Sequence, residues 1–150
     1  MHVGHINLAK SFNGAGEKFV KLIEALQEHG ATQYVLVRNV PLAKRLDIVD
    51  GVTVGPTVRS AVMAYCLMPH VDVVHVHQLA DGQAGLLLTL TRSIPFVLTQ
   101  PDRAPGLNPV LQAASNRAAG FIYKHDANAA KHLRVYRHAI ESWGTSAVLL

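Results

Sequence analysis

Cysteine is almost absent from these 150 residues: Cys66 stands alone. A single thiol excludes an internal disulfide and suits a reducing compartment. Its neighbours Ala64, Tyr65, Leu67 and Met68 are apolar, so it reads as a core residue with a raised pKa rather than as a nucleophile. Long apolar runs are missing too. Stretches such as Ala84 to Leu88 and Ile94 to Leu98 fall far short of the roughly 18 residues that cross a bilayer. Met1-His2-Val3 does not open a signal peptide. Charge is sparse, at 16% of residues, and acids are the scarcer sign, 10 against 14 Lys and Arg. There is no internal repeat, low-complexity tract or linker, and no acidic surplus to repel anions.

What is present is apolar substance: 49% hydrophobic residues in a chain long enough to bury about 70% of its unfolded surface as one domain. The net charge of +4 favours acidic partners: a nucleotide, a phospho-sugar, an anionic lipid or nucleic acid. Short β-rich runs alternate with helical periodicity along the chain. Val3 to Leu8 reads as a strand, and Glu17 to His29 as a helix with Phe19, Leu22, Ile23 and Leu26 on one face and Gly30 at its end. Tyr34 to Val37, Val52 to Val54, Val71 to His77, Pro95 to Thr99 and Phe121 to Tyr123 read as further strands. Helices are expected over Pro41 to Leu46, from a Thr57 N-cap to Met68, after Asp81-Gly82, and from an Asn108-Pro109 start to Gly120. A last one is expected between an Asp126 cap and Gly144, with Ala147 to Leu150 opening another apolar run. This alternation predicts a single α/β domain: a doubly wound, Rossmann-like parallel sheet with helices on both faces.

Ligands of such sheets bind beyond the carboxyl ends of the strands. That rule nominates the loops Ala9 to Gly16, Arg38 to Val40, His77 to Asp81, Thr99 to Asn108 and Lys124 to Asp126, which are polar for so apolar a chain. The loop Lys10-Ser11-Phe12-Asn13-Gly14-Ala15-Gly16 leads from a strand into a helix, where bare N–H groups and the helix dipole attract anionic or polyhydroxyl ligands. It is not a dinucleotide fingerprint, because Phe19 replaces the third glycine, and no Lys-Ser/Thr follows to make a Walker A loop. Arg38 stands where an acid would hold a ribose, which keeps an NADP-binding domain open as an alternative.

His75 and His77 leave the same face of their strand. Two histidines make half a zinc site, and no other metal-ligand spacing is visible, so no metal is expected. His75 reads as a buried, hydrogen-bonded histidine and His77, nearer the edge, as a site residue. Lys131, Arg134 and His138 recur on one helix face, which reads as a solvated basic surface. No nucleic-acid module is present, and nucleic acid is not an expected partner.

Three stretches in order, Gly14-Ala15-Gly16-Glu17 before a helix ending Glu28-His29-Gly30, then Asp72-Val73-Val74-His75-Val76-His77, then Ile94-Pro95-Phe96-Val97-Leu98-Thr99, resemble the amino-terminal domain of GT-B fold glycosyltransferases of family 4. The resemblance spans essentially residues 1 to 150. It implies an acceptor-side half of a retaining transferase that moves a sugar from a nucleotide-sugar to a hydroxyl of a glycan, lipopolysaccharide or lipid-linked acceptor. The nucleotide-sugar would be a co-substrate, with no cofactor and no metal. Such a chain would need a donor-binding second domain or subunit and would not be competent alone, since the family's paired glutamates are absent here. It would be cytoplasmic, with room for peripheral contact at the inner face of the membrane. The resemblance places Gly14, Gly16, His77, Gln78, Thr99 and Arg103 along the acceptor cleft and assigns no catalytic residue. Thr99-Gln100-Pro101 departs from the family's Thr-x-His pattern. The alternative from a different class is a non-catalytic module that binds a nucleotide, phospho-sugar or protein through the same loops.

Overall fold

Valine and isoleucine crowd the strand stretches so densely that both faces of each must be covered, which only a parallel sheet between two helical layers provides. The computed structural model describes residues 1–100, 108–123 and 128–148 and has that form. Its strands are β1 (His2–Asn7), β2 (Thr32–Val37), β3 (Val52–Val54), β4 (Val73–Val76), β5 (Phe96–Gln100) and β6 (Gly120–Tyr123). They form one six-stranded sheet in the order β3-β2-β1-β4-β5-β6, parallel at every pairing. The helices are α1 (Gly14–Glu28), α2 (Val40–Asp47), α3 (Ala61–Leu67), α4 (Gly82–Arg92), α5 (Pro109–Arg117) and α6 (Ala129–Val148), with a 3-10 turn over Leu79–Asp81. The order reverses between β1 and β4, and that is where the ends of neighbouring strands diverge into a crevice.

Strand alternation sorts the core into two layers. Ile6, Leu36, Val74, Val76, Phe96 and Leu98 face α3, α4 and α5 through Ala64, Ala84, Leu88 and Ala114. On the opposite face Val3, Val73, Val97 and Ile122 meet α1 and α6 through Leu22, Leu26, Leu133 and Tyr136, while Val35 and Val37 meet α1 and α2. Among the described residues no helix is long and apolar enough to cross a membrane.

Several local expectations change. Gly14 and Gly16 belong to the first turn of α1 rather than to the loop, because Asn13 is the N-cap and its Oδ1 accepts from Ala15 N–H at 3.0 Å. Thr57 caps nothing. The chain stays extended while Val58 N–H donates to Val37 O at 3.0 Å, and α3 starts only where Ser60 Oγ accepts from Met63 N–H. Gly120 opens β6 instead of closing α5, which ends at Arg117. Gly144 does not stop the last helix; α6 runs on to Val148, since one interior glycine costs only about 1 kcal/mol. Asn128 caps α6, accepting from Lys131 N–H at 3.1 Å; Asp126 lies outside the described residues. Gly30 follows α1 in a left-handed conformation, φ 81°, as a helix-ending glycine should.

Cys66 is exposed rather than in the core. The short α3 buries Ala64 alone, and residues two apart on a helix point to different sides. Apolar neighbours in sequence were therefore no guide to its burial.

Candidate functional site at the carboxyl edge

The residues of β1, β4 and β5 that face α1 and α6 change character along the strands. Val3 and Val73, paired in the sheet register, are apolar. Next come His5 and His75, paired with each other, with Val97 beside His75 and Thr99 one alternation further along β5. Beyond that pair come Asn7 and His77 at the strand ends. This polar row lies on the β1–β4 seam, under Phe19 of α1 and Tyr136 of α6.

The three imidazoles crowd one another. His75 and His77 have ring centroids 3.8 Å apart at 32°, His5 and His77 5.3 Å, and His5 Nδ1 is 3.0 Å from His77 Nε2, in hydrogen-bond contact. Both nitrogens of His75 have hydroxyl partners, Tyr136 Oη and Thr99 Oγ1, each at 2.7 Å. His5 Nε2 and the Gln33 Oε1 are buried without a partner within hydrogen-bonding distance. Gln33 is held from its other end, where Nε2 donates to Ile23 O at 2.9 Å.

Burial makes protonation of this cluster costly. Loss of solvent, reinforced by His132, pushes His5 down to about 3, against a smaller opposing effect of Gln33. Desolvation first, and then the mutual repulsion of the neighbouring rings, holds His75 and His77 well below the usual histidine range. Desolvation raises the Tyr136 hydroxyl well above its ordinary value. At neutral pH the cluster is a set of uncharged imidazoles. They can accept or donate hydrogen bonds and offer lone pairs, but they carry no proton ready for delivery as an acid.

Above the cluster opens a cleft of about 860 Å³. Its walls are the Asn7 to Ser11 loop, the start of α1, the 77–81 segment, and Ile122 and Tyr123 of β6 with His132 of α6. Lys10, Lys18 and Arg38 line it, with Asp81 the one acid among the described lining residues. Desolvation raises the Asp81 carboxyl, partly offset by Arg38 and a backbone hydrogen bond from Leu8. Helix α1 presents its amino end to the same space. A first turn leaves N–H groups without intrahelical partners; the Asn13 side chain takes that of Ala15 and the Asn13 carbonyl that of Glu17.

Of the residues expected at the site, Gly16, His77, Gln78 and Thr99 line the cleft, and Gly14 does not. Arg103 lies outside the described residues. Gly16 lacks a side chain for a local reason, because the Phe12 ring occupies the space a Cβ would need. Arg38 lies on the cleft wall. Sequence reasoning passed over His5 as a site residue. The alternation Val3-His5-Asn7 was the available signal, and it becomes informative once β1 is set beside β4.

A six-stranded, doubly wound α/β domain with a histidine-floored, cation-lined cleft at its switch point is what fold and site together define. No protein-family model matches the chain, and no curated protein matches it. Among solved structures it aligns with a dodecameric FMN-dependent UbiX-like decarboxylase from Escherichia coli O157:H7, at 13% identity and a TM-score of 0.46, over 96% of this chain and 94% of that one. At that level the likeness transfers neither cofactor nor assembly to this chain.

These findings correct the family 4 glycosyltransferase expectation. No family model and no curated protein ties the chain to glycosyltransferases, and the aligned structure is described as an FMN-dependent decarboxylase. With no matching glycosyltransferase family model or curated protein, the associated expectations of a donor-binding second domain, a lipid-linked acceptor and the absence of a cofactor lose their support. The physical reason lies in what the three matching stretches encode. A glycine-bearing strand-to-helix turn and valine-rich central strands are requirements of doubly wound sheets in general. Here Gly16 accommodates Phe12, and His75 is tied to Tyr136 and Thr99, contacts that a doubly wound sheet can make whatever it binds.

Proposed function

We propose that the cleft binds a phosphate-bearing mononucleotide, with the phosphate at the amino end of α1 and the base ring over the Phe19–His77 side. The observation that carries this reading is the cleft's lining: Lys10, Lys18 and Arg38 together with the start of α1 at the sheet's switch point. A helix amino end combines unpaired N–H groups with positive dipole, and cationic side chains add to it. Phe19 meets His77 edge-on with centroids 4.6 Å apart, a partly apolar surface against which a flat ring can lie. Phe19 also fills the position where a dinucleotide fingerprint needs glycine for close helix–strand approach, which favours one phosphate group over a pyrophosphate bridge.

Calorimetry with paired ligands tests the reading: flavin mononucleotide against riboflavin, and adenosine monophosphate against adenosine. At least one mononucleotide is expected to bind saturably, and its dephosphorylated partner about tenfold or more weakly, the equivalent of 1.4 kcal/mol. Arg38→Ala should remove most of that difference. Absence of binding by every mononucleotide, or equal binding with and without phosphate, overturns it.

A further inference from the structure

The polar row at the β1–β4 seam contains more lone pairs than its own hydrogen bonds can use. His5 Nδ1 and His77 Nε2 face each other at 3.0 Å, so one must carry the proton and the other must accept it. His5 Nε2 meanwhile is buried without a partner. Three apolar side chains would fill the same layer with less desolvation, as the paired Val3 and Val73 do one alternation earlier. Neutral imidazoles that converge in a low-dielectric pocket suit a group that accepts several lone pairs at once.

We infer that His5, His75 and His77 form a binding site for a divalent transition metal ion of the zinc class, with its remaining coordination position open to the cleft. One ring nitrogen from each histidine lies within 4.8 Å of those of the other two. Tetrahedral zinc with 2.0–2.1 Å bonds sets its nitrogens roughly 3.3 Å apart. The His5–His77 pair already lies near that spacing, and His75 would join it by giving up one of its two hydroxyl partners. Three imidazoles without a thiolate or carboxylate suit zinc, copper, nickel or ferrous iron rather than magnesium or calcium.

The surroundings supply the outer contacts such ligands need. A coordinating histidine holds its other nitrogen with a hydrogen bond that sets the tautomer. For His75 that role falls to the Tyr136 or Thr99 hydroxyl. For His5 it falls to the unpartnered Gln33 Oε1, an acceptor complementary to an Nε2–H. His77 lines the cleft, so a bound ion would face solvent or ligand there, the arrangement of a reactive rather than a closed structural site. The ion would add positive charge to a cleft already lined by three cations, and its binding needs no cleft ligand.

Metal-stripped protein is titrated with zinc against a chromophoric chelator, and with cobalt while the visible spectrum is followed. One equivalent of zinc is expected to stay with the folded chain through gel filtration, and cobalt should give the intense d–d bands of a tetrahedral site. His77→Ala should weaken zinc binding on the order of 100-fold, and His29→Ala on the exposed end of α1 should leave it unchanged. Long-range nitrogen–proton NMR of the wild-type imidazoles decides independently of any variant's folding. Zinc-dependent shifts at His5, His75 and His77 support the site. Shifts confined to His2, His29, His70 and His138, or affinity unaltered in His77→Ala, overturn it.

Discussion

His75 Nδ1 lies 2.7 Å from the Tyr136 hydroxyl, joining the central strand β4 to the terminal helix α6 across 61 residues of sequence. Both groups are fully buried, so neither can exchange the other for water. Tyr136→Phe keeps the ring and deletes the hydroxyl, stranding one His75 nitrogen. A loss of about 1–3 kcal/mol in unfolding free energy is expected from urea titration. Tyr136→Ala should cost more, about 3–5 kcal/mol, through the cavity it leaves.

Acid should destabilise the metal-free chain, beginning near the ordinary histidine pKa of about 6.5. Burial holds His5 at about 3 and His75 well below its usual range, so below pH 6.5 the unfolded chain binds protons that the folded chain refuses. Stability from these groups is full above about pH 6.5 and is lost as pH falls toward their folded values. Each contributes a slope of up to about 1.4 kcal/mol per pH unit in that window. His77 adds in the same direction. Asp81, whose carboxyl is raised, works oppositely in the carboxylate range, because the folded state there takes up a proton first. Urea midpoints measured between pH 8 and pH 5 should fall steadily below pH 6.5, and a flat profile would contradict the buried, neutral cluster.

Gly30 turns the chain from α1 toward β2 at φ 81°, with open space where a Cβ would stand. Gly30→Ala is therefore strained by backbone conformation alone, without a clash. Thermal or urea denaturation should register a loss of about 1 kcal/mol. Gly144→Ala, in the interior of α6 with open space around it, should do the reverse and stabilise by about 0.5–1 kcal/mol.

The thiol of Cys66 is exposed on α3. Native protein should react with a thiol reagent at a rate close to that of the urea-unfolded chain. Cys66→Ser should change stability by no more than about 0.5 kcal/mol. Protection of the thiol in the native state would restore the buried reading.

The basic residues Lys131, Arg134 and His138 all sit on the exposed side of α6, as helical spacing indicated, and the valine-rich β4 is indeed central. Local pattern was a sound guide wherever one residue type dominates a short window. It failed where the deciding partner is distant. Thr57 has the right chemistry for a cap, but Val58 is committed to Val37. Cys66 has apolar neighbours, but the helix that carries them touches the core on one side only. The site divides in the same way: His77, Gln78, Thr99 and Gly16 come from strand ends and a helix start that sequence can locate, and all four line the cleft.

By itself, then, the sequence determined the class of the fold. Alternation with period two in the strands and near 3.6 in the helices is a local property, and burying both kinds of element in alternating order leaves a parallel sheet between helices as the solution. Tertiary structure alone decided that His5 meets His75 and His77. Strand pairing brings β1 beside β4 across some seventy residues, and α6 then closes over the pair with Tyr136. Contacts of that kind arise from how whole layers pack, so no window of residues around His5 contains them.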